Sequence, residues 1–112
     1  MKLLVFVLNK IEKLDNLLHE LKLRNVSGAT IIEGTGMVRE LIENDDMGFL
    51  LSLKSLFDNP RKPSKVMMMV VKNEEEVKTV IETVDKVVGD LSEPNSGILF
   101  TIPVDFVKGM KN

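Results

Sequence analysis

The sequence predicts an α+β fold, a four-stranded antiparallel sheet with two helices on one face. Three observations predict it. A strand-then-helix pattern occurs twice, each copy is followed by a further strand-like segment, and each helical segment carries a single apolar stripe. Shifting the first copy by 63 residues lays Leu8 on Val71, Glu12 on Glu75, Leu14 on Val77, Leu17 on Val80, Leu18 on Ile81 and Leu21 on Val84. The 112 residues suffice for one modest core, so residues 1–112 are read as one domain.

The first strand is the continuous apolar run Lys2 to Leu8, of strand length and suited to cover on both faces. Asn9 is read as the cap of the helix that follows, with Glu12 three residues on in capping-box spacing. Leu14, Leu17, Leu18 and Leu21 give that helix its stripe, and Asn25 to Gly28 ends it. Ala29 to Glu33 forms the second strand, broken by the glycines Gly34 and Gly36. The third strand is Val66 to Val71. Asn73 caps the second helix with Glu76 at the third position, and Val77, Val80, Ile81, Val84, Val87 and Val88 line its buried side as far as Gly89. The last strand is Gly97 to Val104, and Pro103 suits an edge or the end of pairing because it has no N–H to donate. Two such units fused give the split β-α-β, or ferredoxin-like, sandwich.

Strand side chains alternate between faces. Leu4, Phe6 and Leu8 oppose Leu3, Val5 and Val7; Met67, Met69 and Val71 oppose Val66, Met68 and Val70; Ile98, Phe100 and Ile102 oppose Leu99. Both faces are therefore apolar, while two helices cover one. An open face of several hundred Å², buried at ~25 cal/mol per Å², would stabilise an assembly by on the order of 10 kcal/mol before association costs. The sequence thus predicts a homo-oligomer, unless the long connection folds back over the sheet.

Composition excludes several classes. With 15 Lys+Arg against 17 Asp+Glu the net charge is −2, which gives no general attraction for nucleic acid or anionic lipid. Cysteine is absent, so there is no disulfide, thiolate nucleophile or Cys-based metal site. The single histidine, His19, cannot build a catalytic triad, and no enzymatic activity is expected. The five aromatic residues are all Phe and lack the basic neighbours of an RNA-stacking sheet. No small-residue cleavage site follows the N-terminal apolar run, and no stretch reaches the roughly 20 apolar residues that span a bilayer, so a soluble, cytoplasmic protein is expected.

Residues 37–64 form a connection of 28 residues, far longer than the usual 4 to 6 or so. It runs from acidic (Glu40 to Asp46) through apolar (Met47 to Phe57) to basic (Arg61, Lys62 and Lys65). Phe49, Leu50, Leu53 and Phe57 stand near helical spacing, which suits a short amphipathic helix packed on its own assembly, docked on a partner protein or resting at a membrane surface. Glu43, Asp45 and Asp46 read as a solvated charge run before a cation site.

At the segments SGATIIEGTGMVRE, KVMMMVVKNEEEVKTVIETV and SGILFTIPV the chain resembles the PII nitrogen-regulatory signalling family over almost its whole length. The resemblance implies a homotrimer whose sheets face a central axis. It implies a long loop acting on a regulated protein partner, an enzyme or a membrane transporter, and nucleotide sites (ATP, ADP or AMP) in the clefts between subunits. On this resemblance Gly34, Gly36, Arg39 and Glu40 fall at the base of the loop near the ligand, with Glu40 where the family has glutamine. Ser96 and Gly97 fall on the second phosphate-holding loop, with Gly97 at the position of the family's lysine, and Lys108 is one of two C-terminal basic positions, the other being Met110. With two phosphate-binding charges missing, reduced or altered nucleotide binding is expected, or a different effector. The absence of tyrosine excludes nucleotidylation at a loop tyrosine. The competing readings are a metal- or small-molecule-binding trimer similar to divalent-cation-tolerance proteins, and a small acylphosphatase-like enzyme.

Overall fold

The computed structural model describes residues 1–37 and 63–110. In order along the chain stand β1 (Lys2–Leu8), α1 (Leu14–Leu23), β2 (Thr30–Gly34), β3 (Ser64–Val71), α2 (Glu74–Val87) and β4 (Gly97–Pro103). The sheet order is β2-β3-β1-β4 and every neighbouring pair is antiparallel, the split β-α-β arrangement. β4 is an edge strand that ends on Pro103. The strand bounds and those of α2 lie within two residues of those read from the sequence, while α1 starts four residues later than a cap at Asn9 would place it.

The alternating strand pattern decides the layers. Leu4, Phe6, Leu8, Met67, Met69 and Val71 are buried in one cluster with Leu17 and Leu21 of α1 and Val77, Val80 and Val84 of α2. The opposite face carries three cross-strand rows. Ile32, Val66, Val7 and Ile98 form the first; Thr30, Met68, Val5 and Phe100 the second; Val70, Leu3 and Ile102 the third. Among the described residues nothing covers this face: Ile32, Ile98, Phe100 and Ile102 are 44, 59, 43 and 45% exposed.

The helix ends show where local patterns prevail and where they yield. Asn73 caps α2 as expected: its side chain accepts from the Glu76 N–H at 2.9 Å, while the Glu76 carboxylate accepts from the Lys72 N–H at 3.2 Å. Asn9 does not cap α1. A 3-10 turn, Ile11–Lys13, intervenes, and Lys13 stands at the helix start without a side-chain cap. The groups of Asn9 are engaged elsewhere: its N–H donates to the Ser96 carbonyl at 3.1 Å and its Oδ1 accepts from Ser64 Oγ at 2.7 Å. Past the end of α1 the Asn25 N–H donates to the Lys22 carbonyl, and the φ of 63° at Asn25 turns the chain so that the Val26 N–H reaches that of Leu21. Val26 and Leu21 are both in the core.

One position on the expected α2 stripe differs. Ile81 is exposed, and Thr83 is fully buried in its place. Its hydroxyl is satisfied, accepting from Arg24 Nη1 at 2.6 Å and donating to the Thr79 carbonyl at 2.7 Å, so the polar side chain links the two helices without leaving an orphan group.

Candidate functional site

Antiparallel pairing gathers the ends of β1 and β2 with the beginnings of β3 and β4. Gly34 pairs with Ser64, Glu33 and Leu8 both pair with Lys65, and Leu8 pairs with Gly97. Gly34, Ser96 and Gly97, three of the residues singled out in the sequence, thus stand at the same end of the sheet, Gly34 on one edge strand and Ser96–Gly97 at the start of the other, with exposed Gly36 two residues beyond Gly34. Ser64 and Gly34 are the two stems of the long connection. Arg39, Glu40, Phe49, Leu50, Leu53 and Phe57 lie outside the described residues.

This end is tightly built around Gly97. Its φ is 149°, and a Cβ there would lie 2.4 Å from the Val7 carbonyl oxygen and 3.2 Å from Phe6 Cε1. Any side chain in this position would collide with the β1 backbone. Ser96 is buried, and among the described residues its hydroxyl has no hydrogen-bond partner. Before it runs the turn at Asp90, whose carboxylate accepts from the Ser92 N–H at 2.9 Å and the Ser92 hydroxyl at 2.7 Å. The backbone bond first, then the hydroxyl bond and the charge of Lys10, hold its pKa below the ordinary aspartate value.

Lys108 lies elsewhere. The seven residues of β4, about 20 Å of extended chain, separate it from Ser96. The segment after β4 starts across the opposite end of the sheet, with the Val104 N–H on the Met1 carbonyl at 3.2 Å. There it bounds a pocket of about 650 Å³ lined by Asn25, Ser27, Gly28, Val70, Lys72, Glu76, Val107, Lys108, Gly109 and Met110. Two ammonium groups and one carboxylate give this pocket a small positive excess, suited to an anionic ligand. Of its polar lining the sequence singled out Lys108. Asn25, Ser27, Lys72 and Glu76 were missed because they come from segments more than 30 positions away from Lys108 whose meeting depends on strand order; the SG pair after α1 was the available signal.

No group of three or more His, Asp or Glu side chains suited to a metal is present among the described residues. No helix among them is long and apolar enough to cross a membrane.

A sandwich of four antiparallel strands and two helices, with one apolar sheet face uncovered among the described residues and a polar pocket at one end, places the chain in the class of small α+β ferredoxin-like domains. The sequence matches the family described as nitrogen regulatory protein P-II over residues 1–112, and the chain belongs to that family. Its members are regulatory signalling proteins rather than enzymes. Among solved structures, a protein of unknown function from Pediococcus pentosaceus ATCC 25745 is similar, with a TM-score of 0.63 and 17% identity over 97% of this chain and 96% of that one. At that identity the likeness shows the fold alone. No curated protein matches the sequence.

Proposed function

We propose that the chain works as a homotrimeric, cytoplasmic sensor. A small anionic effector, with an adenine nucleotide (ATP, ADP or AMP) as the first candidate, binds in the clefts between subunits and sets the conformation of residues 37–64, which act on a regulated enzyme or transporter in nitrogen metabolism. The observation that carries this reading is the distance between the two polar ends of the sheet: Gly34, Ser96 and Gly97 stand at one end and Lys108 at the other. A ligand touching both groups needs Lys108 from a second copy, and the open apolar face supplies the reason for copies to associate. Ligand-dependent ordering of the connection then follows from differential contacts in the two states. No observation favours a metal-handling trimer.

Calorimetry and thermal-shift measurements of the full chain with ATP, ADP, AMP and small anions test this. At least one is expected to bind, and Arg39→Ala to weaken it by roughly 10-fold or more, the loss of a charge-assisted phosphate contact. Silence across the panel would contradict the proposal.

A further inference from the structure

Asn9 occupies a position between two segments that the regulatory reading requires to communicate. Its backbone N–H is bonded to the carbonyl of Ser96, and its side-chain Oδ1 to the hydroxyl of Ser64. Ser96 opens the turn into β4, and Ser64 is the first residue of β3, where the long connection returns to the sheet. Ser64 is in turn paired with Gly34, the last residue of β2 and the other stem of that connection.

We propose that Asn9 is a positioning residue that joins the Ser96–Gly97 turn to both stems of the long connection, so that a displacement at either is felt at the other. The inference rests on the regulatory reading for its purpose, though its geometry stands without a ligand. On the Gly97 side the chain runs close against β1, where an added Cβ would meet the Val7 carbonyl oxygen. The buried hydroxyl of Ser96, which has no partner among the described residues, is the group through which an arriving ligand or a rearranged neighbour would engage the turn. Such a change alters the Ser96 carbonyl, then the Asn9 N–H, then the Ser64 hydroxyl held by the same residue. Both bonds fix the position of one residue, so a shift of Asn9 changes the geometry of the two together, and the coupling is reciprocal.

Hydrogen exchange on the ligand-free full chain tests this, with the Asn9 amide as reporter because its N–H makes the bond to Ser96. Ser64→Ala leaves that amide in place and removes the far bond. The expected result is a roughly 2- to 12-fold loss of protection at the Asn9 amide, the span of one hydrogen bond's net contribution, with the amides of Phe6 and Val80 unchanged. Asn9→Leu should lower protection at residue 9 similarly, and the double variant should add nothing further. Asn9→Asp, which keeps the acceptor oxygen, should stay close to the parent. Unchanged protection of the Asn9 amide in Ser64→Ala, or a loss shared equally by the core amides, would overturn the proposal. Failure to bind any nucleotide would leave this result standing, so the two readings fail separately.

Discussion

Gly97 shows how a single residue constrains the candidate site. A methyl group there would meet a backbone oxygen, which cannot swing aside as a side chain can, and φ of 149° disfavours any L side chain. Gly97→Ala is therefore expected to lower stability by at least about 2 kcal/mol, read as a lower urea midpoint with an unchanged slope; an unchanged midpoint would mean that β4 does not start as described. Asp90 gives a pH-dependent expectation with a definite sign. Its folded pKa is depressed, so its contribution is present above the unfolded value of about 3.9 and is lost as pH falls through the folded value. The Asp90 carboxyl should titrate below about pH 3.9 by NMR, with the Ser92 amide shift following it. Residues of this kind were partly legible. Ser96 and Gly97 stood out in the sequence, but their burial and close packing did not, because both depend on β1, nearly 90 positions earlier in the chain.

At the scale of elements, the two helix starts make the comparison. Asn9 and Glu12 have the same spacing as Asn73 and Glu76, yet only the second pair forms a cap. The difference is competition: Ser64 and Ser96 engage Asn9, whereas Asn73 sits at an exposed strand-to-helix turn. Removing the cap, Asn73→Ala, should cost about 1 kcal/mol, measurable by thermal or urea unfolding; no loss would show the cap to be redundant. Strands and helices were legible because periods of 2 and 3.6 residues are written into consecutive positions. The replacement of Ile81 by Thr83 on the buried side was not, since it depends on Arg24 arriving from the other helix.

For the whole molecule, the decisive feature is the sheet face that the helices leave open. The alternation of apolar residues announced it, and the chain carries it as three rows running across the sheet. The sequence did not reveal that Lys108 and Ser96 stand at opposite ends, because that separation comes from strand direction and not from spacing. A charge in the middle row, Phe100→Glu, should break the assembly while leaving the core on the other face folded, giving native-like circular dichroism at monomer mass. The most direct test of the account is the mass of the unmodified chain by light scattering at micromolar concentration. The account predicts three times the chain mass of 12.6 kDa; a stable species at the mass of one chain would contradict it.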